Sequence, residues 1–88
     1  MDLLGEAADR TLIHLELQSE NDPDMAFRMA EYGLNIYRVH KRLPQQFCLY
    51  VGRPRMCMPD ALSGPGVVFK HTLIDVRELD GDELLASP

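Results

Sequence analysis

The fold is decided by the stretch Thr11-Leu12-Ile13-His14-Leu15-Glu16-Leu17-Gln18, in which two kinds of side chain alternate. Successive side chains of a β-strand point to opposite faces of the sheet. One face is apolar apart from a threonine and consists of Thr11, Ile13, Leu15 and Leu17. The other carries three polar side chains and consists of Leu12, His14, Glu16 and Gln18. The pattern predicts a strand with one fully apolar side.

The segments on either side of this strand predict a hairpin before it and a helix after it. Residues 2–6 form a short possible strand, and residues 7–10 have the length and polarity of a turn. Asp22 is a suitable N-cap, with Pro23 as the first helical residue. Apolar residues then recur every three or four positions from Met25 to Leu43, and Pro44 ends the pattern. We expect an amphipathic helix of about 20 residues, about 30 Å long.

The second half of the chain predicts two more strands separated by a loop. Residues 47–51 are a short apolar run, so a strand, a helix and a strand would make a βαβ unit. Three prolines and two glycines in 53–66 predict an irregular loop, and 67–77 predicts one long strand. Asp80 is a plausible cap for a helix that starts near the end of the sequence. We predict a single domain over 1–88, an α/β fold with a mixed β-sheet and one long amphipathic helix.

Composition excludes several classes of protein. The chain has 88 residues, which is one domain at most, and a net charge of −5, which argues against coating nucleic acid by bulk electrostatics. No apolar run approaches the length of a membrane span, and the first residues lack the basic region of a signal peptide. Two cysteines without nearby histidines at ligand spacing predict reduced thiols. We therefore expect a cytoplasmic protein that does not bind membranes.

Glu16 has two interpretations. It can lie on the solvated face of an edge strand, or it can be a metal ligand, since a carboxylate in an apolar strand is costly without a partner. A Mg²⁺ site needs a second carboxylate close by. If residues 2–6 pair antiparallel with residues 11–18, Asp2 comes to the end of the sheet that carries Glu16 and Gln18. The two carboxylates then converge.

Several stretches together resemble a known superfamily. They are Asp2-Leu3-Leu4, His14-Leu15-Glu16-Leu17-Gln18-Ser19, Asp22-Pro23-Asp24-Met25, Arg28-Met29-Ala30-Glu31-Tyr32 and the region from Phe69 to Ser87. These residues resemble the PD-(D/E)XK nucleases, in the branch of recombination-promoting nucleases and putative transposases. The resemblance is weakest through 53–66. It implies a restriction-endonuclease-like core without that fold's first helix and strand, because Asp2 directly follows Met1.

The resemblance implies a Mg²⁺-dependent (or Mn²⁺-dependent) DNA endonuclease. Asp2 would be the lone acid of the superfamily signature, Glu16 the acid of its acidic-x-Lys triplet, and Gln18 the last member of that triplet. Asp2, Glu16 and the carbonyl of the residue after Glu16 would hold the metal. Gln18 would orient the attacking water, but a glutamine has neither the positive charge nor the proton-transfer capacity of lysine. More of the catalysis would then fall to the metal.

Two residues of the helix are candidates for substrate binding. Arg28 and Tyr32 share a face, and Arg28 would contact a DNA phosphate or orient the carboxylates. The alternative for Arg28 is a surface salt bridge with Glu31 or Asp24. The run at 38–42 is the most basic of the chain and could meet a DNA backbone, although cations at a helix C-terminus are the commoner explanation. His14 lies on the same face as Glu16, but no motif supports a catalytic or metal-binding role for it.

The resemblance also predicts how the chain associates. The superfamily elements expected before Asp2 and after Pro88 are missing from the sequence, which would leave a sheet edge and an apolar face uncovered. We therefore expect either a truncated product or a fragment that forms a homodimer. The rival to an active nuclease is an inactive remnant that serves as a dimeric structural or interaction module.

Overall fold

The computed structural model describes residues 2–79. Its elements in chain order are β1 (Asp2–Glu6), β2 (Leu12–Gln18), α1 (Met25–His40), β3 (Gln45–Tyr50), β4 (Ala61–Gly64), β5 (Val67–Lys70), β6 (Thr72–Asp75) and a 3-10 turn (Val76–Glu78). Four strands form one sheet in the order β1-β2-β3-β6, and β4 and β5 form a separate hairpin. Within residues 2–79, the α/β class with a mixed sheet and one α-helix is confirmed. The helix expected after Asp80 lies outside the described residues.

Strand pairing follows the sequence pattern in the first half of the chain. β1 and β2 are antiparallel, whereas β2–β3 and β3–β6 are parallel pairs. The hairpin is closed by the backbone N–H of Ala7, which donates to the carbonyl of Thr11 over 2.9 Å. Parallel neighbours need a crossover, and α1 supplies it between β2 and β3. The predicted hairpin and βαβ unit are therefore both present.

The helix begins later than the predicted first residue, Pro23, and ends before the apolar pattern does. Asp24 is the N-cap residue, and Asp22 instead accepts the backbone N–H of Asp24 on its Oδ1 over 2.8 Å. Asp22 thus stabilises the turn before the helix rather than its first turn. At the other end Lys41 takes a left-handed conformation, φ 60°, and donates its N–H to the carbonyl of Tyr37. The predicted extension to Leu43 is wrong because this cap ends the helix first.

The Pro- and Gly-rich region contains regular structure that the sequence pattern did not predict. Residues 53–66 are not one loop, since β4 pairs with β5 around a turn at Pro65 and Gly66. The single strand predicted over 67–77 is also wrong. It breaks at His71, whose backbone N–H donates to the carbonyl of Asp60 over 3.0 Å. β5 and β6 consequently belong to different sheets.

The two faces of the main sheet differ in what covers them. Helix α1 packs over the face that carries His14 and Glu16, which are 1% and 2% exposed. A core beside them consists of Met25, Met29, Cys48, Tyr50 and Met58. β2 lies between β1 and β3, so the interpretation of Glu16 as a solvated residue of an edge strand is wrong.

The opposite face, called here the open apolar face, has no helix on it within residues 2–79. Leu3, Leu15 and Phe47 stand side by side in register across β1, β2 and β3, and Leu3 is 57% exposed. By strand alternation the same face also carries Ile13, Leu17, Leu49 and Ile74. Parallel strands are usually buried on both faces. The apolar side of β2 is therefore the less covered one in this chain.

No helix in the described part of the chain is long and apolar enough to cross a membrane.

Burial of His71 makes the stability of the fold depend on pH. Desolvation lowers the pKa of His71 from its ordinary 6.5, with the charge of Asp60 acting in the opposite direction. The unfolded chain then binds a proton that the folded chain does not, so acidification favours unfolding. The contribution of His71 is complete above pH 6.5 and is lost as the pH falls from there towards the lower folded-state pKa. We therefore expect the thermal unfolding midpoint to decrease when the pH is lowered from 7 to 5.

The variant His71→Gln isolates this contribution. Its midpoint is expected to fall less than that of the parent over the same interval, as measured by circular dichroism melts at several pH values. His40→Gln is the matched control, because His40 is exposed at the end of α1. Parallel pH curves for the parent and His71→Gln would contradict the prediction.

Candidate metal centre

Two carboxylates face each other across the first hairpin. Asp2 and Glu16 are directly opposite partners of the antiparallel β1–β2 pair, so their side chains point to the same face. His14 lies two residues before Glu16 on that face. One ligand atom of each of the three side chains lies within 4.8 Å of the others. The convergence predicted from the sequence is present, and it includes His14.

Burial divides this group into an anchored part and an open part. Glu16 is 2% exposed under α1, whereas the side chain of Asp2 is 62% exposed at the sheet edge. Carboxylate oxygens are the ligands that Mg²⁺ and Mn²⁺ prefer, and such ions keep several waters. One fixed carboxylate and one open to solvent suit that chemistry. The donor set therefore fits the divalent ion that the resemblance implies.

His14 is held by a network that reaches the backbone of α1. Its Nδ1 lies 3.1 Å from the Nε2 of Gln46, and the same Gln46 nitrogen donates to the carbonyl of Met29 over 2.7 Å. Gly33 gives the Gln46 side chain room, since a Cβ on Gly33 would lie 3.1 Å from its Oε1. On the other side of the ring, His14 Nε2 lies 3.5 Å from Asp2 Oδ2. The imidazole thus bridges the helix and the edge of the site.

A buried thiol lies next to Glu16 on the same face. Cys48 is opposite Glu16 in the parallel β2–β3 register and is fully buried. Burial raises the pKa of the Cys48 thiol to about 11, the charge of Glu16 raises it further, and Arg28 acts in the opposite direction. Since the thiolate is the nucleophile and metal ligand, Cys48 stays a protonated packing residue at neutral pH.

Gln18, the third predicted catalytic residue, is hydrogen-bonded to the loop after β2. It lies on the same face at the end of β2, and its Nε2 donates to the backbone carbonyl of Glu20 over 3.2 Å. The amide is therefore turned towards the loop after β2. Its assignment as the residue that orients water stays a prediction.

Arg28 and Tyr32 contact each other, as their spacing predicts. Arg28 donates from Nη2 to the Tyr32 hydroxyl over 2.9 Å and from Nη1 to Asp22 Oδ2 over 2.6 Å. These two hydrogen bonds raise the pKa of Arg28 above its already high ordinary value. The salt bridge is with Asp22, so the alternative partners Glu31 and Asp24 are wrong. Tyr32 in turn contacts His14 edge to face, with 5.5 Å between ring centroids.

The basic run at the end of α1 is partly used within the fold. Arg42 donates to the backbone carbonyl of Arg10 and lies 3.3 Å from Glu6 Oε2, which ties the helix end to the first hairpin. Arg38 and Lys41 are exposed. Contact between this run and DNA stays a prediction.

Two residues next to Asp2 and Glu16 could not be identified as important from the sequence. His14 was visible because it shares the face of Glu16, but nothing in the sequence showed that its ring would point at Asp2. Gln46 gave no signal, since it lies 32 residues from His14 and meets it only through the parallel β2–β3 pairing.

Comparison of the chain with protein-family models, with curated proteins and with solved structures finds no match.

Proposed function

We propose that this chain is a Mg²⁺- or Mn²⁺-dependent DNA endonuclease of the PD-(D/E)XK type, with a restriction-endonuclease-like core like that of the recombination-promoting nucleases and putative transposases. Asp2 and Glu16 are its metal ligands and Gln18 the residue beside them. The observation that supports the proposal most is the placement of Asp2 opposite Glu16, with ligand atoms within 4.8 Å in a group that includes His14.

The chain's own residues have distinct parts in this proposal. Glu16 is the anchored carboxylate, and Asp2 closes the site from the solvent side. When bound, the metal would polarise the phosphate and lower the pKa of a bound water. We assign to Gln18, at the end of β2, the orientation of that water, for which its amide would turn away from the Glu20 carbonyl that it bonds in this structure. Arg28 and Tyr32 are the proposed substrate-binding residues, and they are linked to the site because Arg28 donates to the Tyr32 hydroxyl and the Tyr32 ring contacts His14.

The experiment is a cleavage assay on supercoiled plasmid DNA with the purified chain. Nicked or linear product is expected with millimolar Mg²⁺ or Mn²⁺, and no product after the metal is chelated with EDTA. Cleavage that persists in EDTA would contradict the proposal, because it would not need the carboxylates as ligands. Intact plasmid at all metal concentrations would contradict it as well.

A second candidate function is a catalytically inactive, dimeric interaction module. It is favoured by the open apolar face, where Leu3, Leu15 and Phe47 lie side by side in register. A second copy that covers this face would bury it in a homodimer. Sedimentation equilibrium at micromolar concentration is then expected to give a dimer mass that Leu3→Glu reduces to the monomer. A monomeric parent would contradict the dimer.

A further inference from the structure

The hydrogen bonds around Gln46 determine which nitrogen of His14 carries a proton. A backbone carbonyl can only accept, so the group that Gln46 directs at Met29 is its NH₂. That NH₂ has a second hydrogen, and the nitrogen lies 3.1 Å from His14 Nδ1. His14 Nδ1 is therefore the acceptor and has no proton. A neutral imidazole with a bare Nδ1 carries its proton on Nε2.

The protonated Nε2 of His14 points at the metal centre. His14 is 1% exposed, and its Nε2 makes no hydrogen bond to any residue between 2 and 79. Asp2 Oδ2 lies 3.5 Å from this nitrogen, which is longer than a good hydrogen bond. A buried donor without an acceptor is costly, so a small rotation of the exposed Asp2 side chain towards it is favourable. With its proton in place, Nε2 has no free lone pair for a metal.

We infer that His14 is not a ligand of this centre but a positioning residue, whose Nε2–H holds the Asp2 carboxylate against Glu16. The inference rests on the proposed function only in giving Asp2 a metal to bind. Carboxylates and histidines behind metal ligands fix the ligands' orientation in this way. Asp2 requires such a partner because its side chain lies on an edge strand and is largely exposed. The position of α1 is then linked to the geometry of the site through the contacts Met29–Gln46–His14–Asp2.

The first test needs no metal. Nitrogen-15 NMR of the histidine side chains in the metal-free protein is expected to show His14 protonated on Nε2 and bare on Nδ1. Asp2→Ala is expected to shift the Nε2–H signal of His14 and speed its exchange with water. Glu6→Ala, which removes a carboxylate from the far end of the same strand, is expected to leave that signal in place.

The second test compares two variants that keep different halves of the imidazole. His14→Gln can place an amide nitrogen near the position of Nε2, whereas His14→Asn reaches only the position of Nδ1. His14→Asn is expected to raise the Mn²⁺ dissociation constant about 10–100-fold, as for lost supporting contacts elsewhere. His14→Gln is expected to recover most of that affinity. Calorimetric titration with MnCl₂ measures both constants.

The outcomes separate this inference from the proposed function. A proton on Nδ1, or an Nε2–H signal that ignores Asp2→Ala, would overturn the positioning of Asp2 by His14. Equal loss of Mn²⁺ affinity in both His14 variants would also overturn it, since a merely structural histidine would act that way. If the parent binds no Mn²⁺, the proposed function fails while the NMR result still decides the role of His14.

Discussion

Glu16→Gln is expected to reduce metal-dependent DNA cleavage by about 100-fold or more while the protein stays folded. The amide keeps the size of the carboxylate but removes the charge of the only buried metal ligand proposed within residues 2–79. A bound metal supplies several kcal/mol of charge stabilisation in such reactions. Loss of about 3 kcal/mol of transition-state stabilisation corresponds to about a hundredfold in rate. The initial rate of plasmid cleavage at saturating Mn²⁺ measures the effect.

Glu31→Gln is the matched control for this prediction. It makes the same change at an exposed position of α1, and it is expected to cleave at the rate of the parent. Circular dichroism melts of both variants show that the fold is retained. A Glu16→Gln protein that cleaves as fast as the parent would contradict the role of Glu16 and would point to a contaminating nuclease.

Tyr50→Ala is expected to lower the free energy of unfolding by about 3–5 kcal/mol, the usual cost of truncating a buried aromatic residue. Tyr50 is fully buried in the core with Met25 and Met29. Its hydroxyl donates to the carbonyl of Pro54 over 2.7 Å, so the ring also fixes the segment after β3. A chain of 88 residues has a net stability of about 4–13 kcal/mol. The variant would therefore lose a large share of it.

Urea unfolding measures this loss, and two further variants define its origin. Tyr50→Phe keeps the ring and removes only the hydroxyl, with its hydrogen bond to Pro54 and the longer 3.5 Å one from Asn21, so about 1 kcal/mol is expected. Tyr37→Ala makes the alanine change at a half-exposed position of α1 and is expected to stay within about 0.5 kcal/mol of the parent. A Tyr50→Ala loss as small as that of Tyr37→Ala would contradict the placement of Tyr50 in the core.

The first hairpin and the pairing of Asp2 with Glu16 could be predicted from the sequence because the alternation of residues 11–18 defines the faces of the strand. A shift by one residue would exchange those faces, so the pattern and the short turn together define the register. Asp22 and Pro23 likewise predict the start of α1 to within a few residues, because capping signals are local. Local signals of this kind are sufficient where neighbours in the sequence are also neighbours in the fold.

The remaining features depend on contacts between distant residues. The helix ends at His40 and is capped by Lys41 rather than by a glycine, although the apolar pattern continues to Leu43. Pro65 and Gly66 mark a turn equally well in a loop and in a hairpin, so β4 was not distinguishable from irregular chain. The break at His71 depends on the backbone of Asp60.

The burial of the polar face of β2 under α1 is the feature that the sequence pattern predicts least well. Apolar side chains usually turn towards a packed helix, whereas here His14 and Glu16 do so. The arrangement is explained by partners that the sequence does not reveal, such as Gln46, which links His14 to the carbonyl of Met29.

The most direct test of the metal centre is the broadening of backbone amide NMR signals by substoichiometric Mn²⁺. A bound paramagnetic ion broadens the signals of nearby residues most, so the broadening locates the ion in the fold. We predict that the signals of His14, Glu16 and the start of β1 broaden first, and that Glu16→Gln abolishes the effect. Broadening centred on exposed acids such as Asp24 and Glu31, or none at all, would contradict a metal site between Asp2 and Glu16.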